Sequence, residues 1–363
     1  MPENLRVLIA GGGTGGHLFP AIAIGEELRK TGAEVRFIGS KFGIEAEILP
    51  KTEKYLYLLN IRGIQRSFNL SSIGKNLLFP YRFLKSYLDS KRIIKSFDPH
   101  VVVGTGGYSS GLPMIVATKR GCKTLLQEQN SYPGLTVRKL AKKVDKICIA
   151  FNEASKYFPD NWIFSGNPVR NNIEIIDKQS ARQKMNLKNK PTIFILGGSQ
   201  GSRPLNHRFM TTYKKFLNSN VQIIWQCGTR DYEMVSSSIV SEDVHLFDFI
   251  SNMGDAYSAS DIVVSRAGAI TLAELTYCKK ASVLVPFPHA AGDHQTKNAI
   301  ALEKHNAARV VKQSEFTTER LENTLLDLLN APDIISELEK NAGQLANPNA
   351  TQNIVKEILE LVN

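Results

Sequence analysis

Short, unbroken apolar runs recur along this chain, and each ends in a glycine-rich or polar turn that leads into helical spacing. In the first half the runs are Leu5 to Ala10, Val35 with Phe37 and Ile38, Val101 to Val103, Thr124 to Leu126 and Ile147 to Ile149. In the second half they are Ile193 to Leu196, Ile223 to Trp225, Ile262 to Val264 and Val283 to Val285. Runs without polar alternation predict parallel strands covered by helices on both faces, which gives an α/β, doubly wound class. Each series opens with a glycine loop after its first strand, Gly11 to Gly16 and then Gly197-Gly198-Ser199-Gln200-Gly201, so two domains of similar architecture are expected. The turn-rich stretch from Ser165 to Arg170 is the expected hinge, which divides the chain into 1–165 and 166–344. From Gln352 to Val362, Ile354, Ile358 and Leu361 have helical spacing, and residues 345–363 are expected to pack back onto the N-terminal domain.

Composition and charge add a location and a partner. A chain of 363 residues with 42% hydrophobic content can bury a substantial core. No segment approaches the roughly 20 apolar residues needed to cross a bilayer. Leu5 to Ala10 leads straight into the glycine loop with no basic region before an apolar signal core, so a cytosolic location is expected. Cys122, Cys148, Cys227 and Cys278 lie far apart without a C-x-x-C pair, as reduced structural thiols do. The net charge of +11 is confined to one part: residues 1–165 carry 24 Lys and Arg against 13 Asp and Glu, and the remainder 21 against 21. One domain alone should therefore meet an anionic partner: nucleic acid, an acidic lipid surface or a polyanionic substrate.

The glycine run after the first strand supplies the first chemistry. Backbone can approach a ligand closely there, and the following helix start favours an anion such as phosphate. Gly11, Gly13 and Gly16 fit the dinucleotide spacing, but the second strand ends Phe37-Ile38-Gly39-Ser40-Lys41 without the acid that a ribose would need. His17, at the mouth of the loop, is a candidate catalytic base. A second glycine turn, Gly104 to Gly111, follows the Val101 to Val103 strand, and loops at the carboxyl ends of strands line a crevice. No G-x-x-x-x-G-K-[ST] run occurs, which argues against a P-loop ATPase. Farther on, Ser265 to Glu274 reads as strand, small-residue turn and helix start. Its amides at Ala269, Ile270 and Thr271 can hold a diphosphate, and Glu274 can accept both hydroxyls of a ribose or stand as an ordinary solvated residue. A polar cluster from Pro286 to Asn298 follows the next strand.

Taken together, GGGTGGHLFPAIA from Gly11, GTGGYSSG from Gly104, QEQN from Gln127, GNPVR from Gly166, GGSQGSR from Gly197, SRAGAITLAE from Ser265 and VPFPHAAGDHQTKNA from Val285 resemble the MurG family of GT-B glycosyltransferases. The likeness spans nearly the whole length, and it departs where the family has Gly and Pro before a late strand and this chain has Lys279 and Ala281. It implies two Rossmann-like domains facing a cleft, and an inverting transfer of N-acetylglucosamine from UDP-GlcNAc to the 4-hydroxyl of MurNAc in lipid I, giving lipid II for cell-wall biogenesis. Direct displacement needs a base, for which His17 is the first candidate and Glu128 the alternative. The resemblance implies donor contacts from Thr14, Gly15, Gly16, Asn130, Arg170, Ser199, Ile250 and Gln295. Ala269 to Leu272, with Ala273 and Glu274, would hold diphosphate and ribose, and the Ile250 backbone would hold the uracil. Gly13, Gly106, Gly107 and Tyr108 would meet the acceptor diphosphate. No D-x-D metal motif is present, and neither a metal nor another cofactor is expected.

A lipid acceptor gives the basic half a meaning. Leu77 to Leu88 followed by Lys91 to Lys95 is basic, aromatic and amphipathic, as expected of a helix resting on an anionic membrane through Phe79, Arg82, Phe83, Lys85 and Tyr87. The same stretch also reads as an ordinary surface helix with Leu77, Tyr81, Leu84 and Leu88 as its core face. The expected location is therefore peripheral, on the cytoplasmic face of the bacterial inner membrane. The competing classes are an NAD oxidoreductase, a basic nucleic-acid-binding protein, and another GT-B transferase or UDP-sugar epimerase. No nucleic-acid partner is expected.

Overall fold

The computed structural model describes residues 4–51, 53–63, 78–170, 173–198 and 200–363. The chain forms two compact units, Met1–Pro168 together with Asn349–Asn363, and Val169–Pro348. In the first, seven parallel strands lie in the order β3-β2-β1-β4-β5-β6-β7, where β1 is Arg6–Ala10, β2 Glu34–Ser40, β3 Leu56–Leu59, β4 Val101–Gly104, β5 Lys123–Glu128, β6 Lys146–Ile149 and β7 Trp162–Phe164. In the second, six parallel strands lie in the order β10-β9-β8-β11-β12-β13, where β8 is Thr192–Leu196, β9 Gln222–Gln226, β10 Val244–Phe247, β11 Ile262–Ser265, β12 Ser282–Leu284 and β13 Arg309–Val310. This is the doubly wound α/β class read from the apolar runs.

Alternation within β1 shows why both faces had to be covered. Val7 and Ile9 enter one buried cluster with Val35, Phe37, Val101 and Val103, while Leu8 and Ala10 enter another with Ile38 and Val102. The first cluster is closed by Leu18, Ile24 and Leu28 of the helix Gly15–Lys30 and by Ile354, Val355 and Ile358 of the terminal helix Ala350–Glu360. In the second unit Ile193, Ile195, Ile223, Trp225, Ile262 and Val264 do the equivalent work. Strand order reverses between β1 and β4 and again between β8 and β11, the places where a doubly wound sheet opens a crevice at its carboxyl edge. The glycine loops of the sequence fall at these two reversals.

The helix Phe79–Phe97 corrects the assignment of its faces. Tyr81, Leu84 and Leu88, placed on the core face by the surface-helix reading, are 62%, 59% and 48% exposed, and Phe83 is exposed too. The buried side is Ser86, Ser90, Ile94 and Phe97. Tyr87, expected on the membrane, instead packs against the core with the Lys119 ammonium 5.4 Å from its ring centre. Small serines let this helix lie close against the helix Gly107–Lys119, so the more apolar stripe is left facing outward. Leu77 lies outside the described residues.

Candidate active site

In the first unit, the loop after β1 carries His17 into the first turn of the helix Gly15–Lys30, beside the turn that follows β4. The His17 Nδ1 lies 3.0 Å from the Thr105 carbonyl oxygen and 2.9 Å from Gln129 Oε1. The amide orientation of Gln129 is set because its Nε2 donates to the Thr105 carbonyl at 2.8 Å and to the Gln127 side-chain oxygen. Both neighbours of Nδ1 are therefore acceptors, so the neutral ring carries its proton on Nδ1 and its lone pair on Nε2. Gly106 and Gly107 form the floor beneath the imidazole. A Cβ on Gly106 would sit 2.9 Å from Nδ1, one on Gly107 3.1 Å from Cδ2, and both have positive φ, 91° and 76°.

Gln127 and Gln129 are tied in turn to the GNPVR motif. Gln127 Nε2 donates to Asn167 Oδ1 at 3.0 Å, and Asn167 Nδ2 donates to the Gln129 carbonyl at 2.9 Å. Glu128, between the two glutamines, points elsewhere. It is buried, and its Oε1 accepts the Asn130 backbone N–H at 2.9 Å and the Asn130 side-chain amide at 3.0 Å, while Oε2 accepts the Gly134 N–H at 3.0 Å. Burial pushes its carboxyl above the usual range, opposed by these N–H donors. Glu128 is thus the clasp of the loop leading to the helix Leu135–Leu140, and Asn130 is held within that clasp. Thr14 is the exposed N-cap residue of the helix Gly15–Lys30 and makes no side-chain cap bond, with Gly15 and Gly16 following in the first turn. Gly13 was expected to offer its amide to an acceptor diphosphate. That N–H instead donates to Glu45 Oε2 at 2.6 Å, so other groups must carry any phosphate contact. Tyr108 is half-buried, which raises its phenol, and the charge of Glu45 acts in the same direction.

In the second unit, Glu274 on the helix Ala269–Tyr277 is buried, not solvated. Its Oε1 accepts Arg170 Nε at 2.8 Å and its Oε2 accepts the Tyr257 hydroxyl at 2.9 Å. Burial, followed by the charge of Glu274, pushes the Tyr257 phenol well up. Glu274, expected to hold the ribose, and Arg170, expected among the donor contacts, are therefore already one ion pair. The helix itself starts at the N-cap Gly268 without a capping side chain, so Ala269, Ile270 and Thr271 form a first turn that favours negative charge, with Leu272 and Ala273 behind. The Ile250 N–H donates to Gln226 Oε1 at 2.8 Å, and Gln226 Nε2 donates to the Gly198 carbonyl at 3.1 Å. Gln295, on the helix His294–Glu303, accepts the Phe287 N–H at 2.9 Å. Ser199 lies outside the described residues. Among the described residues no group of three or more His, Cys, Asp or Glu could hold a metal ion.

Several residues of consequence carried no role in the sequence reading: Thr105, Gln129, Gln226, Tyr257, Glu45 and Arg266. Arg266 is buried, donating from Nε to Ser202 Oγ at 2.9 Å, from Nη1 to the Val285 and Pro286 carbonyls at 3.0 and 3.1 Å, and from Nη2 to Gln313 Oε1 at 2.7 Å. Burial lowers it to about 10, which leaves it a cation at neutral pH. The sequence carried no signal for this arrangement, because Ser202, Val285, Pro286 and Gln313 reach Arg266 only in the folded unit.

The sequence matches the glycosyltransferase family 28 N-terminal domain over residues 7–149 and the family 28 C-terminal domain over residues 192–358. It is 41% identical to the UDP-N-acetylglucosamine--N-acetylmuramyl-(pentapeptide) pyrophosphoryl-undecaprenol N-acetylglucosamine transferase of Flavobacterium psychrophilum, over 99% of this chain and 98% of that one. To the protein of the same name from Christiangramia forsetii it is 40% identical, over 100% and 99% of the two chains. Among solved structures, Acinetobacter baumannii MurG matches with a TM-score of 0.77 at 29% identity, over 98% of this chain and 99% of that one.

Proposed function

The chain belongs to glycosyltransferase family 28, and from that membership we propose that it transfers N-acetylglucosamine from UDP-GlcNAc to lipid I, forming lipid II. Near-complete coverage of relatives bearing that name carries the substrate assignment. The His17 tautomer carries the chemistry. Attack by the acceptor 4-hydroxyl on the anomeric carbon, with inversion, releases UDP and requires the hydroxyl proton to go to a base. His17 Nε2 takes that proton, and the resulting imidazolium keeps its Nδ1–H on the Thr105 and Gln129 oxygens, which stabilise its charge. Glu128 is less suited to the task, because three N–H donors and burial already occupy it.

The first turn of the helix Ala269–Tyr277 meets the departing diphosphate, with Arg170 nearby as the cation. Glu274 takes the ribose through lone pairs left beside its bonds to Arg170 and Tyr257. Since the Ile250 N–H is engaged by Gln226, its carbonyl is the group offered to the uracil. The acceptor's lipid brings the first unit to an anionic membrane as a peripheral protein on the cytoplasmic face. The exposed stripe Tyr81, Leu84 and Leu88, with Phe83 and the neighbouring Lys85, Lys91, Arg92 and Lys95, supports that reading. Among the described residues no helix is long and apolar enough to cross a membrane.

The test is turnover of labelled UDP-GlcNAc with a soluble lipid I analogue. Product is expected only when both are present. Hydrolysis or epimerisation of UDP-GlcNAc without the acceptor would overturn the proposal.

A further inference from the structure

The Gly13 amide after β1 and the Ser40 amide at the end of β2 already hold a carboxylate, and it belongs to the protein. Glu45 is fully buried; its Oε2 accepts the Gly13 N–H at 2.6 Å and its Oε1 accepts the Ser40 N–H at 2.8 Å. Three glycines clear the space for it. A Cβ on Gly12 would lie 2.2 Å from the Glu45 carboxyl carbon, one on Gly39 2.6 Å from Cγ, and one on Gly43 2.1 Å from Oε2. Only Gly12 of the three also has a positive φ, 139°, so the want of a side chain at Gly39 and Gly43 is explained by the volume of the carboxylate. The seat continues into the second glycine turn: a Cβ on Gly107 would lie 2.5 Å from the Gly12 carbonyl oxygen, and one on Gly13 2.9 Å from Tyr108 Cε1.

We propose that Glu45 is a positioning residue for the acceptor: its carboxylate holds the Gly13 amide, fixes the Gly12–Gly13 turn, and through it sets the Gly107–Tyr108 surface that meets the acceptor diphosphate. The inference rests on the transferase reading and narrows it. A second anion at the Gly13 amide would face the charge of Glu45, so the acceptor diphosphate is met at Gly106 and Gly107.

Glu45→Gln preserves volume but turns an NH2 group toward one of the two backbone N–H donors. Gly43→Ala keeps the carboxylate and pushes it out of its seat. In the full chain, each is expected to raise the KM for a soluble lipid I analogue about 10-fold or more, as for loss of a charged hydrogen bond, while donor KM and UDP binding stay within about two-fold. The double variant is expected to be no worse than the more severe single one. Wild-type turnover is the control: without it the transferase reading fails. With it, an unchanged acceptor KM in Glu45→Gln, or equal losses for donor and acceptor, overturns the role of Glu45 alone. If Glu45→Gln does not fold, Gly43→Ala decides by the same comparison; failure of both to fold assigns Glu45 to the fold and overturns the proposal.

Discussion

His17 and Glu128 are the two residues that sequence motifs put forward as bases, and their surroundings separate them. With its proton fixed on Nδ1 by two oxygen acceptors, His17 presents Nε2 as the basic atom. Replacing it with Ala is expected to lower kcat about 100-fold or more while leaving UDP-GlcNAc affinity nearly intact, and to abolish the part of the pH–rate profile that reports a neutral imidazole. Wild-type kcat in that variant would move the role elsewhere. Glu128→Gln should behave differently, because an amide has one acceptor oxygen for a site with three N–H donors. The expected result is a stability loss of about 1–3 kcal/mol in thermal or denaturant unfolding, with the dependence on neutral imidazole retained. The position of His17 was legible because it follows a glycine run at a strand end. Its orienting groups were not, since Thr105 and Gln129 stand 88 and 112 residues away and meet it only once β1, β4 and β5 lie side by side. Glu45 was illegible for a related reason: Gly39 and Gly43 announce that volume is cleared, not what fills it.

Elements were legible where both faces are buried and less so where only one is. The interior strands of both sheets could be read from unbroken apolar runs, whereas β3, β7, β10 and β13, the outermost strands at two to four residues each and largely half-exposed, were not marked out. The helix Phe79–Phe97 misleads in another way. It carries two stripes that could face inward, and the one built from Ser86, Ser90, Ile94 and Phe97 does so because close approach to a neighbouring helix favours small side chains over Leu and Tyr. The stripe left outside makes a prediction at this scale. Changing Tyr81, Leu84 and Leu88 together to Ser removes exposed apolar surface without touching the core. Binding to vesicles containing anionic lipid is expected to fall at least about 10-fold, each inserted apolar side chain contributing on the order of 1.5–3 kcal/mol when fully buried. Turnover of a soluble acceptor should be unchanged, and residual binding should weaken with salt as the basic residues are screened. Vesicle binding equal to wild type would place the membrane face on another element.

Across the whole molecule, the chain leaves the first unit after Pro168, builds the second, and returns at Asn349 to finish the first with the helix Ala350–Glu360. The last residues are therefore structurally part of the basic, His17-bearing unit, although in sequence they follow the whole of the second unit. Ile354, Val355 and Ile358 complete the cluster that includes Leu18, Ile24 and Leu28 of the helix starting at Gly15, so the backbone that presents His17 depends on side chains more than 300 residues away. Shortening Ile358 to Ala should cost about 2–5 kcal/mol, because a fully buried aliphatic leaves a cavity that its neighbours fill only in part. That loss should fall on the first unit. The thermal transition reporting that unit is expected to move down, while UDP continues to raise the transition of Val169–Pro348, since a ligand stabilises the part of a chain that binds it. Calorimetry of the variant with and without saturating UDP separates the two effects. Loss of UDP protection along with the first transition would mean that the second unit depends on this terminal helix as well.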